Sequence, residues 1–498
     1  MLFSSMVFLW VFLPIVLICN FLVNLFKFKN NGTKILIKNT LLLVLSLTFY
    51  AWGGIYYLLL MLASILINYF GALIMERVAK TPSARKWALV ITVIANLGML
   101  FFFKYFNMTV AVIEAIMGPL PEGKSILDAI INMEGTGRLG LPYIVLPIGI
   151  SFFTFQAMSY SVDVYRGNAK LQTNIFNFAL YISLFPQLIA GPIVRYSDVA
   201  LELEDRRESL DLMVSGIKRF CYGMGKKVLL SNTFAVIADK IWALDTSTIG
   251  SAVAWYGLGA YTLQLYYDFS GYSDMAIGIG RMLGFHFKEN FDYPYTATSV
   301  QDFWKRWHIS LTTWFKEYVY IPLGGSRKGT FRTYLNIFII WFLTGFWHGA
   351  NFTYIAWGMM CAIPIMLERL FLGKWLKKNP IKPINWVYTM LVFMIGLACV
   401  RSNTISQAIE FIKQMFSFGA GKGVFLTTFL SMQNIVTFVV GILLSGFVQR
   451  PLKKLYTEKL QTKIPVMALD LVCQAAILGL SIMMIISGTY NPFIYFQF

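Results

Sequence analysis

Charged residues are scarce in this sequence. Asp, Glu, Lys and Arg make up only 13% of the 498 residues, 57% are hydrophobic, and the mean hydropathy is +0.63. A soluble protein needs a charged surface that this composition cannot supply, so a soluble globular fold is excluded. Apolar runs of roughly 20 residues, the length of a membrane-spanning helix, follow one another from end to end. We therefore predict a single all-α polytopic membrane domain over residues 1–498.

Several common catalytic and metal-binding patterns are also absent. The five cysteines lie singly with no CxxC pair, which argues against a disulfide framework. No histidine pair has HExxH spacing, so we predict no metal, and no GxSxG motif offers a serine nucleophile. The glycine-rich run at 324–329 lacks the spacing of a phosphate-binding loop. General base catalysis by one of only three histidines is the chemistry that remains.

The positive charges indicate orientation in the membrane. The net charge is +18, but the Lys and Arg residues form short clusters between apolar runs, as the positive-inside rule predicts. We therefore predict membrane lipid and no nucleic acid as a partner. Met1–Phe26 has no basic n-region and no cleavage site, so it is predicted to be a retained span. Following the clusters gives about eleven transmembrane and re-entrant helices, with both termini extracytoplasmic.

Three stretches depart from simple spans. Asn174–Tyr196 is apolar but is broken by two prolines and a glycine, which predicts a re-entrant segment and points to a site, because irregular backbone at membrane depth must be buried or line a cavity. Tyr256–Phe287 is long enough for an outward and a return crossing, interrupted by Asp268 and Asp274. Tyr334–Leu372 is predicted to be a hairpin or a pair of broken helices.

The histidines differ in their surroundings. His348 lies near the end of an apolar run, within TGFWHGAN, where an ionisable residue is costly and indicates function; a neutral histidine bonded to a neighbouring helix is the alternative. His308 lies in FWKRWHISLTTW, where the aromatic and cationic residues are equally typical of an interfacial helix. His286 lies beside Lys288 and is given no role.

Five sequence blocks resemble the alginate O-acetylase branch of the membrane-bound O-acyltransferase (MBOAT) superfamily. They are LPIGISFF at 146–153, FPQLIAGP at 185–192, YYDFSGYSDMAIGIGRMLG at 266–284, FWKRWHISLTTWFKEYVYIPLGGSR at 303–327 and WHG at 347–349. The resemblance covers nearly the whole chain. It implies a ring of helices around a central funnel or tunnel, with an acyl donor entering from the cytoplasm.

The resemblance also implies residue roles. The family's essential histidine falls on His348 and its supporting histidine on His308. His348 would be the base that deprotonates an acceptor hydroxyl as it attacks a thioester. Asp268 and Asp274 could orient a base, but pairing with a cation is favoured, since a lone carboxylate in apolar sequence is expensive. The group that stabilises the oxyanion is not identified.

The donor and partners follow from the same resemblance. Acetyl-CoA would supply the acyl group, and its phosphates would be attracted by Lys305, Arg306, Arg327 and Lys328, although positive-inside placement explains these cations equally well. The acetyl group would be destined for an extracellular or cell-wall polysaccharide, through an extracytoplasmic SGNH-type O-acetyltransferase. The expected location is the bacterial cytoplasmic membrane.

Two other functions stay open at this point. Acyl transfer of D-alanine to a teichoic acid-like polymer keeps the superfamily and changes the cargo. A transporter for a polysaccharide or a lipid-linked sugar belongs to a different class but also needs broken helices and buried polar groups. Loss of acyl transfer on mutation of His348, with export intact, would separate the enzyme from the transporter.

The C-terminal tail, 488–498, carries a second candidate site. Its Phe493, Tyr495 and Phe498 resemble an FxYxxF ending found in this branch and in a small partner of the D-alanine system. Tyr495 could carry the acyl group, because a phenol is a better leaving group than an ordinary alcohol. An aromatic anchor at the membrane interface is the alternative.

Overall fold

The computed structural model describes residues 1–118, 125, 144–419, 421–456, 463–488 and 490–492, and the architecture is all-α. The first half contains α1 Phe8–Leu25, α2 Asn31–Ala51, α3 Ile55–Val78, α4 Pro82–Met117, α5 Ile150–Arg166, α6 Ile175–Ser183, α7 Phe185–Leu188, α8 Tyr196–Glu204, α9 Leu210–Gly225 and α10 Asn232–Trp242. The second half contains α11 Ser251–Met282, α12 Val300–Arg306, α13 Ile309–Phe315, α14 Thr330–His348, α15 Phe352–Lys378, α16 Lys382–Arg401, α17 Ile405–Met415, α18 Met432–Phe447, α19 Gln449–Leu455 and α20 Ile464–Ser487.

Seven of these helices are long and apolar enough to cross a membrane, and the bent pair of α18 and α19 would make an eighth. They are α1 to α4, α15, α16 and α20. α11 is more polar and lies inside the protein, with every residue from Ala260 to Gly280 buried. The prediction of an all-α, multi-pass membrane protein is confirmed.

The predicted outward and return crossing over Tyr256–Phe287 is wrong, because most of this stretch belongs to the single helix α11. Its antiparallel neighbour is α9, which continues through a π-helical turn into α10. Glycines bring the two helices together. A Cβ on Gly216 would lie 2.6 Å from the carbonyl oxygen of Gly278, and one on Gly223 would lie 2.7 Å from that of Gly271.

Ion pairs across this helix interface explain why the aspartates do not interrupt α11. Asp268 lies 2.6 Å from the Nζ of Lys227, and Asp274 lies 2.6 Å from the Nζ of Lys226. Arg219 also binds Asp274. Each carboxylate therefore has a cation from the α9–α10 segment, and the predicted structural pairing of both aspartates is confirmed.

The broken segment predicted over Asn174–Tyr196 is present. It forms the two short helices α6 and α7 and then leaves helical conformation after Leu188. Every residue from Phe178 to Val194 is buried. The irregular backbone is therefore enclosed by protein, as the sequence argument required.

The predicted hairpin over Tyr334–Leu372 is formed by α14 and α15. Two glycines set the close approach of these helices: a Cβ on Gly345 would lie 2.5 Å from the carbonyl oxygen of Tyr354, and one on Gly358 would lie 2.4 Å from that of Trp341. His348 is the last residue of α14, so the hairpin carries this histidine at its turn.

Candidate active site

The carboxyl end of α14, where His348 lies, is fixed by α4. The Lys104 ammonium donates to the carbonyl oxygen of Trp347, and the Tyr105 hydroxyl donates to that of Phe346. A cation and a hydroxyl thus satisfy two of the last carbonyl groups of the helix, which otherwise lack intrahelical partners. His348 is held in place through the two residues that precede it.

His348 lies in the wall between two cavities. Its ring packs edge-on against Trp347 and Trp357, with centroid separations of 4.9 and 5.0 Å. The larger cavity, of about 240 Å³, is also lined by Lys104 and Ser151. The smaller cavity, of about 30 Å³, lies among Phe269, Trp307, Tyr354, Trp357 and Phe393. The imidazole is therefore accessible from one side and packed among aromatic rings on the other.

His308 has a hydrogen-bonding arrangement that defines its tautomer. The backbone N–H and the hydroxyl of Ser310 both donate to Asn290 Oδ1, at 3.2 and 2.8 Å, which identifies that atom as the amide oxygen. His308 Nδ1 lies 3.2 Å from the same oxygen, so Nδ1 carries the proton. Nε2 is then an acceptor, buried and without a hydrogen-bond partner among the residues described here.

The two histidines belong to one aromatic cluster. The Trp347 ring lies 6.3 Å from the His308 ring and 4.9 Å from the His348 ring, centroid to centroid. Phe269 packs edge-on against His308 at 4.6 Å. His308 also has a left-handed backbone, with φ of +46°, which is rare for a residue other than glycine and occurs often at functional sites. The structure thus brings the two predicted histidines together.

The four predicted donor-binding cations lie elsewhere. Lys305, Arg327 and Lys328 are exposed, and Arg306 is ion-paired with Asp302 at 3.0 Å. None of them lines either cavity at His348. They belong to the surface near the ends of α12 and α14 and not to the histidine cluster.

A third cavity, of about 150 Å³, is lined by Arg195, Asp198, Lys288 and Ser310. Burial raises the pKa of Asp198, but hydrogen bonds from Arg195 and Lys288 outweigh it and hold that pKa below its usual value. The charges of Arg195, Asp198 and Lys288 in the cavity wall are therefore paired with one another. Ser310 connects it to His308 through Asn290.

Sequence reasoning missed two polar residues of the site. Lys104 is the only charged residue between Lys86 and Glu114, and that isolation within an apolar run is a signal that could have identified it. Asn290 lies outside any recognisable pattern, and only the folded backbone brings it to His308.

His286 is exposed and hydrogen-bonded to Glu202 at 2.7 Å. Tyr495 lies outside the described residues.

The fold and the site together define a multi-pass membrane protein with paired histidines beside an internal cavity. Residues 143–402 match the membrane-bound O-acyltransferase family, MBOAT. The chain is 40% identical over 469 residues to a probable alginate O-acetylase of Pseudomonas aeruginosa, covering 93% of this chain and 84% of the relative. It is 39% identical over an alignment of 519 residues to a probable alginate O-acetylase of Pseudomonas putida, covering 100% of both chains.

A third relative, a peptidoglycan O-acetyltransferase of Helicobacter pylori, is 32% identical over 445 residues, covering 83% of this chain and 80% of the relative. The chain therefore belongs to the MBOAT family and is a membrane-bound O-acyltransferase. The resemblance seen in the sequence blocks is confirmed.

Proposed function

We propose that this O-acyltransferase moves acetyl groups from cytoplasmic acetyl-CoA across the membrane for O-acetylation of an extracellular or cell-wall polysaccharide. The observation that carries the proposal is the position of His348 in the wall between two cavities. The relatives named O-acetylases, of alginate and of peptidoglycan, support acetyl as the group transferred and a polysaccharide as its destination.

His348 acts as the general base in the proposed reaction. An acceptor hydroxyl attacks the thioester carbonyl carbon, and its proton passes to the imidazole as the C–O bond forms. The C–S bond then breaks, and the thiolate takes the proton back from His348. His308 supports this step: its proton is held on Nδ1 by Asn290, so Nε2 offers a lone pair within the same aromatic cluster.

The donor is proposed to approach through the cavity lined by Arg195, Lys288 and Ser310. Ser310 connects this cavity to His308, because both residues hydrogen-bond to Asn290. The phosphates of coenzyme A would be attracted to the surface cations Lys305, Arg306, Arg327 and Lys328. Because three of these four side chains are exposed, they can contribute to long-range attraction without contact at the reacting centre.

We infer that the helices surround a funnel leading to His348 and that both termini face the extracytoplasmic side of a bacterial cytoplasmic membrane. Asn491 donates to the carbonyl oxygen and the hydroxyl of Ser4, at 3.1 and 2.9 Å, which supports placing the two termini on one side. The basic clusters, such as Lys374, Lys377 and Lys378, support placing the opposite end in the cytoplasm.

This orientation predicts the labelling of two variants, each with one cysteine added to the five of the native chain. In intact cells, Ser487→Cys at the end of α20 should react with an impermeant thiol reagent, whereas Lys378→Cys should react only after the cells are opened. Both positions are exposed, so accessibility to the reagent depends on the side of the membrane. The unmodified chain serves as the background. Labelling of Lys378→Cys in intact cells would reverse the assigned direction of transfer.

Tyr495 is the proposed carrier of the acetyl group, and the described part of the tail supports it. Beyond α20, Asn491 lies 3.3 Å from Asn232, and the carbonyl oxygen of Pro492 accepts a hydrogen bond from Lys227. Lys227 lies five positions earlier than Asn232 in one continuous helical segment.

Asn491 and Pro492 therefore lie against this helical segment. Lys227 is ion-paired with Asp268. The next residue in the sequence, Phe269, packs its ring against that of His308. Tyr495 follows Pro492 by three residues, a reach of up to about 10 Å. A tyrosyl ester formed in this region keeps its transfer potential for an SGNH-type O-acetyltransferase outside the membrane.

Deleting the gene in its host tests the proposed function. We expect the host polysaccharide to lose its ester-linked acetate, to be produced in the usual amount, and to regain acetate when the wild-type gene is returned. Loss of D-alanine esters with acetate unchanged would assign the enzyme to D-alanyl transfer. Loss of exported polysaccharide itself would indicate a transporter.

A further inference from the structure

Lys104 is a buried cation that shares the cavity of about 240 Å³ with His348. It is 7% exposed and lies within the apolar part of α4. An ionisable residue at such a position is expensive, and in membrane proteins it marks a functional site by default. The residue therefore needs an explanation beyond packing.

The surroundings of Lys104 concentrate positive charge beside the histidine. Its ammonium lies 3.5 Å from Ser151 Oγ and binds the carbonyl oxygen of Trp347, the residue before His348. The amino terminus of α5, at Ile150, lines the same cavity and adds the positive end of a helix dipole. Among the described lining residues of this cavity there is no Asp or Glu. The wall thus presents a cation and no carboxylate.

We propose that the Lys104 ammonium stabilises the negative charge that develops on the acyl carbonyl oxygen during transfer. This inference rests on the proposed function of His348. As the acceptor hydroxyl attacks, the C–O bond forms, the hydroxyl proton moves to His348, and the carbonyl π electron pair moves onto oxygen. A Lys104 N–H donates to that oxygen.

The second half of the reaction, in which the thiolate leaves, involves no change of protonation at Lys104. When the C–S bond breaks, the electron pair returns from oxygen to the carbonyl, and the departing thiolate takes the proton from His348. Lys104 keeps its proton throughout. A fixed cation is well suited to this role, because it needs no reorganisation as the charge appears.

Tyr105 offers a matched control for a purely structural role. It is the next residue of α4, and its hydroxyl donates to the carbonyl oxygen of Phe346, one position from the carbonyl that Lys104 binds. If Lys104 only anchored the end of α14, then Tyr105→Phe would be expected to cause a loss of similar size. If the charge acts in the reaction, Lys104 variants should be much slower than Tyr105→Phe.

The test follows the coenzyme A released as purified full-length variants in liposomes hydrolyse acetyl-coenzyme A, with water as the final acetyl acceptor. We expect Lys104→Met to lower kcat by about 100-fold or more with little change in KM. Lys104→Gln, which can still bond the Trp347 carbonyl but carries no charge, should lower kcat at least ~10-fold. Tyr105→Phe should stay within about threefold of wild type. Thermal unfolding in detergent identifies any variant that is not folded.

Two results would overturn the role of Lys104: a kcat for Lys104→Gln equal to that of wild type, or a kcat loss in Tyr105→Phe equal to that in Lys104→Met. His348→Ala in the same preparation separates the two proposals. If His348→Ala keeps wild-type turnover, the proposed function of His348 fails. If His348→Ala is inactive while the Lys104 variants keep turnover, only the role of Lys104 fails.

Discussion

His348→Ala is expected to lower polysaccharide acetylation by roughly 10²–10⁴-fold, the range that general base catalysis usually contributes. The substitution removes the only group proposed to take the acceptor proton. It leaves the α14–α15 turn anchored, because Lys104 and Tyr105 bind the carbonyls of the preceding residues. The measurement is ester-linked acetate per unit of polysaccharide, normalised to the amount of protein in the membrane.

Two other histidine variants calibrate this result. His286→Ala should keep acetylation within about twofold of wild type, because this side chain is exposed and bound only to Glu202 among the described residues. His308→Ala should give an intermediate loss, since His308 is proposed to support the reaction and not to be its base. Wild-type acetylation in His348→Ala protein would contradict the mechanism.

Tyr495→Phe is expected to abolish acetylation of the polysaccharide while the protein still accumulates in the membrane. Phenylalanine keeps the ring, and with it any anchoring at the membrane interface, but it lacks the hydroxyl that would form the acetyl ester. Acetate on the polysaccharide is again the measurement. A normal level in this variant would mean that the tail is an aromatic anchor and that the acetyl group reaches its acceptor by another route.

Tyr490→Phe is the matched control in the same tail. Its hydroxyl binds Asp239 of α10 at the start of the tail, so its loss removes one contact between the tail and the protein. Acetylation should persist in this variant with at most a several-fold loss, because the proposed carrier hydroxyl is intact. Equal losses in Tyr490→Phe and Tyr495→Phe would point to tail docking and not to tyrosyl ester chemistry.

Spans with long apolar runs and flanking lysines could be read directly from the sequence. α1 to α4 and α20 are of this kind, since lipid-facing helices are hydrophobic on most sides. His348 was also identifiable, because a rare ionisable residue stood at the end of an apolar run with glycines beside it. These features depend on local sequence, which is why they could be predicted.

α11 was misread because its stability depends on partners distant in sequence. Asp268 and Asp274 make this stretch look interrupted. In the folded protein Lys227 and Lys226, from the turn between α9 and α10, neutralise these two carboxylates. No periodicity within either segment reveals that pairing.

The supporting residues of the site were hidden for a related reason. Asn290 determines the tautomer of His308 from 18 positions away, through a loop with no recognisable motif. The cavity beside Lys104 exists only because α4, α5 and α14 converge there. Such groups can be assigned to the site only once the folded backbone brings them together. Lys104 is a partial exception, because a single charged residue within an apolar run could have been identified from the sequence.

The most direct measurement is the intact mass of purified protein after incubation with acetyl-coenzyme A in liposomes, followed by mass analysis of the C-terminal peptide. We expect wild-type protein to gain the mass of one acetyl group on Tyr495, and we expect His348→Ala and Tyr495→Phe to gain none there. Acetylation of Tyr495 in His348→Ala protein at the wild-type rate would contradict catalysis by His348.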